Sequence, residues 1–153
     1  MSKLYRGYYQ SQIDVLEVCG TEKGIVSITF VDKPGEVSEL NSCVEECLQQ
    51  LDEYFKGTRK EFTLQVNPQG TEFQNKVWRA LLDIPYSETR SYFEIAKAIG
   101  NEKSVRAVGS ANSRNKIPII LPCHRVIGKN GALTGYAGEL WRKEWLLKHE
   151  KGI

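Results

Sequence analysis

The chain has no apolar run approaching the ~20 residues needed to cross a bilayer, so no membrane association is expected. Its first residues, Met1-Ser2-Lys3-Leu4-Tyr5-Arg6, lack the apolar core of a secretory leader, and a cytoplasmic location is expected. Histidine is scarce, with two among 153 residues and none before position 124. That leaves Cys19, Cys43 and Cys47 without an imidazole partner for a zinc finger, and their own spacing is not that of one. Cys43 and Cys47 lie one helical turn apart, which fits helix packing better than a metal site, so no metal is expected. Four cysteines in such a chain read as free thiols rather than a disulfide framework. No repeat or low-complexity segment is visible. What is present is ordinary globular material, 41% apolar and 26% charged, enough for one domain or two small ones.

The net charge of +2 hides an asymmetry. Residues 1–66 hold 7 Lys/Arg against 11 Asp/Glu, whereas residues 67–153 hold 14 against 8. Between 97 and 129 stand Lys97, Lys103, Arg106, Arg114, Lys116, Arg125 and Lys129, opposed only by Glu102. A basic patch confined to one half points to a polyanionic partner there, nucleic acid being the usual one.

The first half reads as scaffold. Residues 3–10, 13–19 and 24–31 are rich in Tyr, Ile, Val and Phe and are separated by turn-like breaks, which predicts an antiparallel meander. Val37, Leu40, Val44, Cys47, Leu48, Leu51 and Phe55 recur at spacings of three and four, predicting an amphipathic helix stopped by Gly57. Residues 62–66 suggest a further strand. Asn67-Pro68-Gln69-Gly70 reads as a linker. Beyond it Phe73, Val77, Trp78 and Leu81 mark a helix. Ser91 and Glu94 have capping-box spacing at the start of a helix that Gly100 ends. A short helix over 104–113 follows, and the pair has a helix-turn-helix pattern. Its second helix presents tiny side chains, Ala107 and Gly109 among them, apart from Arg106. Such a helix can approach a groove closely while one Arg reaches the base stack or a phosphate. A final helix begins at Leu140, with Trp141 and Trp145 one turn apart and expected in the core.

Ile117-Pro118-Ile119-Ile120-Leu121 reads as a buried, strand-like run leading into Pro122-Cys123-His124-Arg125-Val126. A thiolate is the nucleophilic form of cysteine and needs a base or a positive environment to form at neutral pH. Neighbours in an extended segment point to opposite sides, so a water is the natural relay between Cys123 and His124. His124 then needs an orienting partner on its other nitrogen.

The Pro-Cys-His-Arg-Val string, together with Gly135-Tyr136-Ala137-Gly138, resembles the O6-alkylguanine-DNA alkyltransferase family. So do Phe73 to Trp78, Ser91-Tyr92, Arg106 to Gly109, Asn115 and Lys143 to Glu150. The likeness spans roughly residues 73–150; residues 1–66 match only in general plan. It implies an α/β (α+β) chain, with residues 1–66 as an N-terminal scaffold and residues 67–153 as the DNA-binding and alkyl-transfer domain. It further implies a monomeric repair protein that needs no cofactor and acts on double-stranded DNA containing O6-alkylguanine. The target base would be flipped out, since a base cannot be reached inside the duplex. Cys123 would accept the alkyl group once and irreversibly, with His124 and Glu150 as the water-mediated relay. Asn115 would tie the recognition helix to the cysteine segment. Tyr92 would press on the target's 3′ phosphate and hydrogen-bond the guanine. Tyr136 would line the alkyl pocket, and the carbonyls of Cys123 and Val126 would accept from the guanine amino group. Ala137, where the family often has Ser, would offer only its N–H to O6. Arg106, Ala107, Gly109 and Arg125 would face the DNA. A Cys-His hydrolase would need an oxyanion motif that the sequence does not offer, and a purely lesion-binding relative would lack Cys123. A regulator with an added zinc domain would need more room than the first half provides.

Overall fold

The computed structural model describes residues 3–36, 39–134, 136 and 139–153. They form two compact units, Met1–Gln69 and Gly70–Ile153, a division three residues beyond the one expected.

In the first unit, β1 (Tyr5–Ser11), β2 (Asp14–Thr21) and β3 (Gly24–Val31) form an antiparallel sheet in the order β1-β2-β3. Helix α1 (Ser42–Phe55) buries Val44, Cys47, Leu51, Tyr54 and Phe55. It starts later than the periodicity predicts because Asn41 caps it, its side chain accepting from the Val44 N–H. Leu40 therefore precedes the helix; Val37 lies outside the described residues. The helix lies close to β1 at Gly7, where a Cβ would come within 2.8 Å of Leu48 and 3.0 Å of Val44. Residues 62–66 make no strand. Only Val66 bridges to Ile25, with the Ile25 N–H donating to Gln65 O at 2.9 Å. Gly24, at φ +132°, sits there because a Cβ would lie 2.6 Å from the Gln65 carbonyl.

The second unit opens with α2 (Glu72–Leu81), started by a Thr71–Gln74 capping box. The buried Trp78 donates its indole N–H to Ala111 O at 2.9 Å, fixing α2 against the helix pair. Strand β4 (Arg90–Ser91) pairs in parallel with β5 (Val126–Ile127). Helix α3 (Tyr92–Ala98) begins with the predicted Ser91–Glu94 capping box and ends before Gly100 at φ +79°. A 3₁₀ turn (Glu102–Ser104) leads into α4 (Val105–Ser113), which buries Val108, Ala111 and Asn112 while Arg106 and Ala107 stay exposed. The expected α+β arrangement is thus what the chain adopts.

Two expectations fail here. Residues 117–121 are buried but are a turn, not a strand. Asn115 substitutes for a ladder: its Oδ1 accepts from the Ile117 N–H at 3.0 Å and its Nδ2 donates to Leu121 O at 2.7 Å. The Leu121 N–H closes back on Ile117 O, with Ile119 at φ +76°. The second failure is the C-terminal helix α5 (Leu140–Lys151). Trp141 is 45% exposed, and Trp145 stacks on His149 instead of entering the core. Lys143, Leu146 and Glu150, at spacings of three and four, form the buried face. The apolar spacing selected one face, while the buried charges mark the other.

Candidate active site

Cys123 lies in a 3₁₀ turn, Cys123–Arg125, that starts directly after Pro122 and ends where the Val126 N–H donates to Cys123 O. Two asparagines hold this turn. Asn115 fixes Leu121, as above, and also bears on the Cys123 thiol. Asn112, on the buried face of α4, donates to Cys123 O at 3.2 Å. The tie between the recognition helix and the cysteine backbone is therefore made by Asn112, a residue the sequence reading passed over. Its signal was a polar side chain on a helix face otherwise made of Val108 and Ala111.

His124 and Glu150 are both fully buried at their side chains and meet at 2.6 Å, Nε2 to Oε2. Glu150 also accepts from Arg125 Nε at 2.9 Å and Nη2 at 3.0 Å, and from the Ser87 N–H at 3.1 Å. Burial opposes its charge, but His124 and Arg125 outweigh that and hold the carboxyl well below its usual range. Burial also lowers the pKa of His124, against the pull of Glu150. A neutral imidazole that donates Nε2–H to Glu150 keeps its lone pair on Nδ1, and Nδ1 has no hydrogen-bond partner among the described residues. Burial pushes the Cys123 thiol up to about 11, partly countered by Asn115 and Lys143. Cys123 is thus a thiol at neutral pH, next to an imidazole that burial favours in its neutral form.

Arg125 does not serve DNA in the way expected. It is 6% exposed, its third donor group reaches Ile84 O at 2.8 Å, and its guanidinium lies over the Tyr86 ring. Its donors are spent on orienting Glu150 and on the turn that follows α2.

Tyr92, at the start of α3, donates to Thr134 O at 2.8 Å and accepts from Thr134 Oγ1 at 3.2 Å. Gly109 faces its ring: a Cβ there would lie 3.9 Å away. Beside Tyr92 opens a cavity of about 540 Å³ lined also by Ser91, Phe93, Val105 and Lys129. Tyr136 is buried, and burial followed by the influence of Cys123 raises its hydroxyl well above its usual pKa. Val126 is buried, and its carbonyl accepts from Lys143 Nζ at 2.5 Å. Ala137 lies outside the described residues. The structure therefore brings Cys123, His124, Glu150, Asn115, Tyr92, Tyr136 and Val126 into one neighbourhood. Arg106 and Ala107 stand on the exposed face of α4. Among the described residues no group of three or more His, Cys, Asp or Glu side chains is placed to hold a metal.

Comparison with known proteins agrees with this geometry. Residues 72–152 match the family model of the 6-O-methylguanine DNA methyltransferase DNA-binding domain, and residues 4–68 match that of its ribonuclease-like domain. The chain is 49% identical to a methylated-DNA--protein-cysteine methyltransferase of Methanosarcina acetivorans over 96% of this chain and 98% of that one. It is also 49% identical to one from Mycobacterium leprae, over 92% and 88%. The fold superposes on the crystal structure of Mycobacterium tuberculosis O6-methylguanine methyltransferase with TM-score 0.88, at 41% identity, covering 98% of this chain and 94% of that one. A structure of the mycobacterial OGT in complex with DNA matches with TM-score 0.86 at 42% identity, over 95% and 91%. With both halves matched by the models of one family and near-full-length relatives at this identity, the chain belongs to the 6-O-methylguanine DNA methyltransferase family.

Proposed function

We propose that this protein repairs DNA by taking the alkyl group from O6 of guanine onto Cys123, once per molecule. The observation that carries the reading is the buried His124–Glu150 pair beside a buried thiol, with His124 Nδ1 left available as an acceptor. The thiol proton passes to Nδ1 through a water, and Glu150 steadies the imidazolium that forms. Sulfur then attacks the alkyl carbon in line. The S–C bond forms as the C–O6 bond breaks, and guanine leaves, taking a proton as it departs. Tyr92 is suited to assist that departure, exchanging its bond to Thr134 O for one to the base. The thioether has no hydrolytic machinery beside it, so the protein is consumed.

DNA binding belongs to the second unit, through α3 and α4. The exposed Arg106 enters the stack where the target guanine has left, and the small residues Ala107 and Gly109 allow close approach. The ligand is duplex DNA carrying O6-alkylguanine, and the protein acts as a monomer in the cytoplasm. The test is stoichiometric. Protein mixed with excess O6-methylguanine duplex restores one equivalent of guanine and then stops; continued turnover contradicts the reading.

A further inference from the structure

The segment after α2, Ile84-Pro85-Tyr86-Ser87-Glu88, meets the relay at several points. Ile84 O accepts from Arg125 Nη1 at 2.8 Å, and the centre of the Tyr86 ring lies 5.7 Å from the Arg125 guanidinium carbon. The Ser87 N–H donates to Glu150 Oε1 at 3.1 Å. Residues 85–88 close a β-turn, the Glu88 N–H donating to Pro85 O at 3.1 Å. Ser87 is third in that turn at φ +67°, and Tyr86 before it does not have a positive φ. The combination is that of a type II turn, whose third position favours glycine. Ser87 is exposed, so packing of its side chain does not demand the conformation. Type I and type II turns differ by a flip of the central peptide. In type I the Ser87 N–H would point away from Glu150, and the Tyr86 carbonyl would take its place. The costlier turn is the one that aims a donor at the carboxylate.

We propose that Ser87 is a positioning residue of the transfer: its backbone N–H fixes the Glu150 carboxylate that orients His124, and its positive φ keeps that N–H aimed. This deepens the proposed function and rests on Cys123 being the acceptor. The two carboxylate oxygens have separate duties. Oε1 accepts from the Ser87 N–H and Arg125 Nε, and Oε2 from Arg125 Nη2 and His124 Nε2. The Arg125 fork spans both oxygens and is itself a side chain, whereas the Ser87 N–H is fixed in the backbone of a closed turn. With that N–H turned away, Oε1 loses a donor in a fully buried site. The carboxylate then pivots with the Arg125 fork and carries Oε2 out of line with His124. The imidazole must be held at the angle that presents Nδ1 toward the thiol, and a small misplacement of a base is costly in rate. Ser87 touches no reacting atom; it acts through Glu150 and His124.

The experiment compares single-turnover methyl transfer from an O6-methylguanine duplex in the wild type, S87V and S87G, with DNA affinity and melting temperature measured beside it. Valine is β-branched, disfavours positive φ and drives the turn toward type I, whereas glycine accepts the positive φ and keeps the N–H. S87V slows transfer per folded molecule by about tenfold or more, the size of one hydrogen bond to a charged group, and retains DNA affinity. S87G transfers fast and melts above the wild type. The chain has two histidines, so the His124 Nε2 proton is readily assigned by NMR. It moves upfield in S87V, as its bond to Glu150 lengthens, and not in S87G. A folded S87V with the wild-type rate, slow transfer with the Nε2 proton unmoved, or S87G slowed as far as S87V overturns the proposal. Should S87V fail to fold, hydrogen exchange at the Ser87 amide of the wild type decides. Protection there supports the bond to Glu150, and exchange at the rate of a solvated amide overturns the proposal. If the Nε2 proton moves in S87V but the wild type takes no methyl from duplex DNA, the functional reading fails while the hold of Ser87 on Glu150 stands.

Discussion

The two units bury different things. The first buries Ile13, Val15, Leu16, Val18, Ile25, Val44, Leu51 and Tyr54, and its buried polar residues find local partners, as Gln50 does on Thr63. The second buries Trp78, Leu81, Ile117 and Leu146, but also His124, Arg125, Lys143 and Glu150. Apolar burial stabilises at roughly 25 cal/mol per Å² whatever the protein does. Burying four ionisable groups together returns little stability compared with an apolar core, and removing one partner is severe. The contrast teaches where to look: the first unit is explained by folding alone, whereas the second carries groups that folding did not require.

The largest effects should come from the buried network. E150Q leaves Arg125 without its carboxylate, with an expected loss of about 3–5 kcal/mol of stability. Transfer by the molecules that remain folded should slow by about 10²-fold or more, the scale of lost general-base catalysis. H124Q should slow transfer on the same scale while DNA affinity is retained. Single-turnover rates and duplex binding measured side by side check both, and a wild-type transfer rate in H124Q removes the relay. L51A in the first unit should cost about 2–5 kcal/mol by opening a cavity beneath α1. It should leave the transfer rate per folded molecule unchanged; a matching rate loss would erase the contrast between the units.

R106A sharpens the comparison within the second unit, setting the exposed face of α4 against the buried site. Its repair of duplex substrate should fall about tenfold or more, while reaction with free O6-benzylguanine holds, because only the duplex must be kept open. Equal losses on the two substrates would return Arg106 to a role in the pocket or the fold.

Acid gives a milder separation. Folding lowers the pKa of both His124 and Glu150. The unfolded chain therefore binds more protons, and stability falls as pH drops below the ordinary values of 6.5 for His and 4.5 for Glu. In the first unit the shifts run the other way: Tyr9 and Cys47 are each raised to about 12. Their contribution is complete below the ordinary pKa values of 10.0 and 9.0 and declines above them. Trp78, Trp141 and Trp145, the only tryptophans, all lie in the second unit. The unfolding free energy of the second unit, followed by tryptophan fluorescence in denaturant, should therefore fall with pH below about 6.5 in the wild type, and less steeply in H124Q. Coincident pH dependences in the two proteins would show that His124 does not set acid stability. The smallest effect is expected for the exposed Lys148–Glu144 pair, where E144Q should cost only about 0.3–0.5 kcal/mol by thermal melting.

What could be read in advance divides along local and distant causes. The meander, the Ser91–Glu94 box and the helix pair depend on neighbours in sequence, and their patterns were visible. The reactive Cys123-His124 pair was visible as chemistry, and its partner Glu150 through the family likeness. The fate of residues 117–121 was hidden because a strand-like string became a turn once the Asn115 side chain satisfied its backbone. The burial of Lys143 was hidden because its acceptors, Val126 O and Thr134 O, are placed by chain folding and not by spacing along α5. Arg125 looked like part of a basic surface until Glu150 and Ile84 O were found holding its guanidinium. Thr71–Gln74 was a capping box of the same form as Ser91–Glu94 and could have been found.

The central claim is that Cys123 is the sole acceptor, and intact-mass analysis with peptide mapping tests it most directly. After incubation with an O6-methylguanine duplex, the protein should gain one methyl in place of one hydrogen. The label should map to the peptide containing Cys123, and C123S should gain none. Methyl on Cys19, Cys43 or Cys47, or an unchanged mass while guanine is restored, would contradict the account.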